Sequence, residues 1–146
     1  HRVLEWTSLE DASAASVQAM AAALAPSFGL DGDAGRRAGE AAWTALGLPV
    51  MGRARRAARV WRELPLYFPD GSDLIEGVID LVFQEADGLV IVDYKTDRIA
   101  PEQAVAQAAH HAPQLQLYGR GLAQAWGMPV VERLVLFTSI GQAVRV

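Results

Sequence analysis

Hydrophobic spacing along the chain changes period three times. Over residues 1–24 it is helical. Val3, Leu4, Trp6 and Leu9 form an apolar edge, and an alanine-rich run from Ala12 to Leu24 has high helix propensity until Pro26 and Gly29. Residues 27–35 read as a loop, with Asp31 and Asp33 around Gly32 making a capped turn, since no further ligands follow at calcium-loop spacing. A second helix is expected over 36–46, with Trp43 and Leu46 inward, closed by Gly47 and Pro49. A third carries Arg53, Arg55, Arg56, Arg59 and Arg62. The spacing then becomes that of strands. Glu63 to Phe68 reads as a first strand, with Pro65 marking an edge or a bulge. Val78–Phe83 and Leu89–Val92 are short apolar runs around Ala86-Asp87-Gly88, a hairpin signal. Helical spacing returns after Pro101, breaks at Pro113 and resumes from Gln114 to Trp126. Two strands, Val130–Thr138 and Gln142–Val146, close the chain.

That order predicts an α/β domain with a central mixed sheet flanked by helices. The first three strands form an antiparallel meander, and the strand after the long helix joins in parallel by a right-handed crossover.

Three charges interrupt the apolar hairpin: Asp80, Asp93 and Lys95. Charges inside a strand core need a partner or an ion. If Asp87 and Gly88 are the turn residues, Ala86 pairs with Leu89 and Asp80 falls opposite Lys95. Asp93 then shares their face on the diagonal, roughly 7–8 Å from Asp80 between backbones. A three-residue turn would move Asp80 to the other face. Two carboxylates and a lysine on one face suit metal-assisted phosphodiester cleavage. A hard divalent cation relieves the carboxylate repulsion, polarises the phosphate and acidifies a bound water. An Asp80–Lys95 ion pair with Asp93 capping the next turn fits the same spacing.

The composition narrows the setting. The chain has 146 residues, 51% of them hydrophobic, enough for one domain with one core. It has no cysteine, which excludes disulfides and thiolate metal sites and suits the cytoplasm. No apolar run is long enough to span a bilayer, so no membrane partner is expected. The net charge of −4 does not advertise a nucleic-acid binder, but clustered arginines can make a local basic face. Arg55, Arg59 and Arg62 fall at i, i+4 and i+7 of the expected third helix. They are candidates for DNA phosphate contacts, against the alternative of a solvated helix face.

The hairpin also carries a resemblance. Gly77-Val78-Ile79-Asp80-Leu81, then about a dozen residues, then Asp93-Tyr94-Lys95-Thr96-Asp97, resembles the nuclease domain of the RecB/AddA family, within the PD-(D/E)XK superfamily. Three other segments are similar to that family in the same order. His1-Arg2-Val3-Leu4-Glu5 resembles its opening H-x-x-L-E. Glu63-Leu64-Pro65 resembles its R-E-x-P-F segment. Gln114-Leu115-Gln116-Leu117-Tyr118 resembles its Q-L-x-L-Y.

The resemblance implies a restriction-endonuclease-like fold. It implies Asp80 and Asp93 as metal ligands, Lys95 as the group activating water, the Tyr94 carbonyl as a further ligand and His1 as another. Gln114 and Tyr118, four apart on one helical face, would attend the scissile phosphate or orient Lys95. Glu63 would assist the metal or be an ordinary edge-strand glutamate. His110 and His111 read as surface residues. The cofactor implied is Mg2+ or Mn2+, and the absence of cysteine excludes the iron–sulfur cluster that some relatives carry.

The implied partners are DNA, as single-stranded ends delivered by a helicase region upstream in the same polypeptide, and a partner subunit. The implied setting is double-strand-break processing at the bacterial nucleoid. The expected organisation is one domain, helical over 1–61 and α/β over 62–146. His1 opens straight into helical sequence without a cap, which suggests a piece of a longer chain. Two rival readings are a catalytically silent nuclease fold used as a scaffold and a small phosphohydrolase using the same acids.

Overall fold

The computed structural model describes residues 1–146. Its centre is a five-stranded mixed sheet in sequential order. The strands are β1 (Arg59–Asp70), β2 (Asp73–Glu85), β3 (Gly88–Lys95), β4 (Val130–Phe137) and β5 (Gln142–Arg145). The first three form an antiparallel meander, β4 lies parallel to β3, and β5 returns antiparallel. Four helices precede the sheet: α1 (Arg2–Trp6), α2 (Ala14–Leu24), α3 (Gly32–Leu46) and α4 (Pro49–Arg56). The long α5 (Ala104–Trp126) makes the β3–β4 crossover.

Two cores result, one on each face of the sheet. Helices α1–α4 bury Leu4, Val17, Ala21, Leu46 and Met51 against Leu81, Phe83, Val90, Val92 and Leu136. On the other face α5 buries Ala108, Leu115, Tyr118 and Leu122 against Ile79, Val82, Leu89, Ile91 and Val135. Because β3 is covered on both faces, its apolar run from Leu89 to Val92 is continuous rather than alternating. Each side chain of this size contributes roughly 1.5–3 kcal/mol on full burial.

Local chemistry sets several boundaries. The residues expected as one helix over 1–24 form two, because the Ser13 hydroxyl caps a fresh start at α2 by accepting from the Ser16 N–H. The capped turn at Asp31 is the N-terminus of α3, with the carboxylate accepting from the Ala34 N–H at 2.7 Å. Trp43, expected inward, is exposed, while Leu46 is buried. Pro113 does not end α5, which continues through it. Pro113 and Ala109 are both exposed, so the carbonyl that loses its helical donor can meet water.

The expected third helix requires correction. It ends at Arg56, and Arg59 and Arg62 stand on β1, so Arg55, Arg59 and Arg62 do not share a helical face. The helical part therefore stops short of residue 61. Val60 and Trp61 pair with Phe83 and Val82, and that sheet pairing overrides the helical propensity of the arginines.

The hairpin register also differs from expectation. Glu85 pairs with Gly88, so the turn residues are Ala86 and Asp87. The positive φ, 146°, belongs to Gly88. A side chain there would run into the Pro129 carbonyl, which instead accepts from the Leu89 N–H at 2.8 Å. Contact with the start of β4 thus fixes where β3 begins. The shift is two residues, so it preserves the faces and carries Asp80 level with Asp93 rather than Lys95.

Candidate active site

Strand alternation fails at the residues that carry charge. On β2, Ile79 packs on the α5 side and Leu81 on the α1–α4 side, although residues two apart share a face in a regular strand. Asp80 sits at the break. On β1, Trp61 and Leu64 both pack on the α5 side, three positions apart. Between them Glu63 has φ 49°, the one non-glycine residue with positive φ, and it drops out of the pairing between Arg62↔Leu81 and Leu64↔Ile79. A left-handed glutamate costs on the order of 1–3 kcal/mol and persists where the surroundings impose it. The paired distortions put Glu63 and Asp80 at one place in the sheet.

His1, at the start of α1, comes to the same place. Its Nε2 lies 3.0 Å from Glu63 Oε1 and 3.3 Å from Asp80 Oδ1. The ring stands edge-on to Tyr94, centroids 5.8 Å apart. Ligand-type atoms of His1, Glu63 and Asp80 all lie within 4.8 Å of one another. Asp80 is only 8% exposed, and its Oδ2 accepts the Tyr94 N–H at 2.6 Å. Burial pushes its carboxyl up to about 6, against the lowering effects of the Tyr94 N–H and of His1, while Asp93 and Glu63 push it further up. Burial likewise raises the Tyr94 phenol.

Asp93 and Lys95 form the other half of the site, at the C-terminal end of β3. Lys95 Nζ lies 2.8 Å from Asp93 Oδ2. That oxygen is buried and has no aligned hydrogen bond, so the pair is held by charge rather than by a fitted donor. Asp93 is outside the tight group made by His1, Glu63 and Asp80. The end of β3 is pinned from β4, since the Thr138 N–H donates to the Lys95 carbonyl at 2.9 Å.

The remaining expected site residues are placed as follows. Tyr94 contributes its N–H to Asp80, and its buried ring lines the α1–α4 core. Tyr118 packs on Gly77, three residues before Asp80, where any side chain would collide with its phenol. The Gln114 amide donates to Tyr118 Oη at 3.1 Å, so the two are joined as their spacing predicts. His110 is exposed and His111 half-buried, and neither belongs to the acidic group.

Two of the three arginines proposed for DNA are held elsewhere. Arg55 donates to the carbonyls of Leu9 and Leu46, and Arg62 to that of Thr7. They tie the N-terminal helices together and to β1. Arg59 is exposed. Arg53 grips Glu85 and Glu132, a clamp across β2 and β4. Glu63 was the residue least legible in the sequence. Its signal was the Glu-x-Pro spacing on an edge strand, and that cannot tell an inward glutamate from an outward one.

The donor set is oxygen-rich, with one imidazole, and it leaves a carboxyl strained by burial and a second carboxylate oxygen without a fitted donor. Such a set suits a hard divalent cation such as Mg2+ or Mn2+. Comparison with protein families matches residues 1–143 to the PD-(D/E)XK nuclease superfamily. The chain belongs to that superfamily. The sheet order and helical layers of this PD-(D/E)XK domain are those of the restriction-endonuclease-like fold.

Curated relatives fall in one group. A protein of Desulforudis audaxviator is 40% identical over 75 residues, 51% of this chain and 6% of that protein. One of Anoxybacillus flavithermus is 36% identical over 95 residues, 60% of this chain and 8% of that protein. One of Carboxydothermus hydrogenoformans is 32% identical over 111 residues, 67% of this chain and 10% of that protein. Each is named as an ATP-dependent helicase/nuclease subunit. The match thus spans a tenth or less of these relatives' length, on a domain of the RecB/AddA type.

Proposed function

We propose that this PD-(D/E)XK domain is a divalent-metal-dependent deoxyribonuclease. The observation that carries the reading is the convergence of His1, Glu63 and Asp80 beside the Asp93–Lys95 pair, at a break in strand alternation shared by β1 and β2. His1, Glu63, Asp80 and Asp93 would hold Mg2+ or Mn2+, with the Tyr94 carbonyl as a further ligand. A bound divalent ion supplies charge neutralisation at the phosphate and an acidified water.

The chain's own residues do the rest. The Tyr94 N–H fixes the Asp80 carboxylate, so one oxygen is free to face a cation. Lys95, held at the mouth of β3 by Asp93, takes or directs the proton of the attacking water and offsets charge developing on the phosphorus oxygens. Tyr118, linked to Gln114 and packed on Gly77, braces the strand that leads into Asp80 and offers polar atoms toward the scissile phosphate.

The substrate proposed is DNA, as single-stranded ends. The names of the relatives support a role in break repair in the bacterial cytoplasm, with an upstream helicase region in the same polypeptide and a second, partner chain. No helix is long and apolar enough to cross a membrane. The test is cleavage of single-stranded DNA with Mn2+ or Mg2+ and with EDTA. Wild type should cut only with the metal. Asp93→Ala and Lys95→Ala should lose roughly 10²–10⁴-fold in rate. Metal-independent cutting, or undiminished rates in both variants, would remove the proposal.

A further inference from the structure

Beside the acidic cluster runs a cleft of about 600 Å³. His1 belongs to both. One wall is α3, whose residues Ala34, Arg37, Ala38 and Ala41 fall at i, i+3, i+4 and i+7 and so form one face. The opposite side is the loop after β3, with Thr96 and Arg98, and the β4–β5 turn. That loop is fixed to the turn, because the Ser139 hydroxyl donates to the Asp97 carbonyl at 2.5 Å.

The two arginines are exposed and uncommitted. On α3, Asp33 and Glu40 both pair with Arg36, which leaves Arg37 without a carboxylate. Arg98 joins no ion pair among the chain's nine. This contrasts with Arg53, Arg55 and Arg62, which are bound to the protein itself. Two free guanidiniums across a smooth wall of methyl groups, opening on a metal-type cluster, fit a ligand with repeated anionic groups and apolar flat parts. The volume is that of a small-ligand site, roughly 300–1,000 Å³, so the cleft admits a few nucleotides of one strand and not a double helix.

We propose that this cleft seats a single nucleic-acid strand on the His1 side of the acidic cluster, with Arg37 and Arg98 on its phosphates and the alanine face of α3 against its sugars and bases. The proposal rests on the nuclease reading and says where the substrate lies.

Fluorescence anisotropy of the 146-residue chain with fluorescein-labelled oligo(dT) in EDTA measures binding without cleavage. Arg37→Ala and Arg98→Ala should each weaken affinity roughly tenfold. Each should also flatten the dependence of log K on log salt by about 0.7. Ala38→Trp, which fills the wall without changing charge, should weaken binding too. Arg36→Ala, on the same helix but outside the cleft, should not, and the matching duplex should bind less tightly than the single strand. Circular dichroism establishes that each variant is folded.

Wild-type affinity in both cleft variants, an equal loss with Arg36→Ala, or no binding by wild type overturns the proposal. The two readings fail separately. If Arg37 and Arg98 govern binding but wild type cuts nothing with Mn2+, the cleft stands and the nuclease falls. If wild type cuts and both variants keep its KM, the nuclease stands and the cleft falls.

Discussion

Asp80→Asn in the metal-free protein isolates the electrostatic strain of the site. Asp80 is 8% exposed, and burial lifts its carboxyl from 3.8 to about 6. Its folded value is above its unfolded one. Between those values the native chain keeps a proton that the unfolded chain has released, so stability falls as pH rises from about 4 to about 6 and is level above. At about 1.4 kcal/mol per pH unit, the ionised carboxylate costs the folded state ~3 kcal/mol at pH 7. Asparagine keeps an oxygen to accept the Tyr94 N–H and carries no charge. Urea unfolding in EDTA should therefore give equal stabilities near pH 4 and a gap of ~3 kcal/mol favouring Asp80→Asn at pH 7. In a chain of this size that corresponds to roughly 2–4 °C of Tm per kcal/mol. Glu85, which the bond from Arg53 holds below the ordinary carboxylate value, loses its contribution on acidification, but equally in both proteins. Adding Mn2+ at about 100 times its Kd should return ~2.7 kcal/mol to wild type and little to the variant. A gap that does not change between pH 4 and pH 7 would refute the reasoning.

Glu63→Gln should keep the left-handed backbone yet lower Mn2+ affinity roughly tenfold or more by calorimetry. Glu63→Gly should also lose metal while gaining about 1 kcal/mol of metal-free stability, since glycine accepts φ 49°. Arg55→Ala removes bonds to the Leu9 and Leu46 carbonyls and should cost ~1–2 kcal/mol in urea unfolding. Gly121→Ala places a methyl into the Phe68 ring, and overpacking of ~1–3 kcal/mol should outweigh the ~1 kcal/mol that alanine adds to a helix, lowering Tm.

The sequence alone determined the elements whose signals are local. The unbroken apolar run of β3 requires cover on both faces, and α5 with the α1–α4 layer supplies it. The meander, the parallel fourth strand and the charged hairpin follow from the order of periodicities, and the grouped motifs pointed to the superfamily. Asp31 was legible as a cap because capping is decided within a few residues.

Tertiary structure decided what depends on contacts distant in sequence. Arg59 and Arg62 read as helix because their own propensity is helical, yet pairing with β2 makes them strand. The two-residue register shift came from Gly88 against Pro129, about forty residues on, where no hairpin rule can see it. Glu63 joined the site because β1 breaks its alternation there, and His1 because α1 packs over that break. Spacing along a chain reports which residues share a face. Which faces meet, and which free charges border the space between them, is settled by packing.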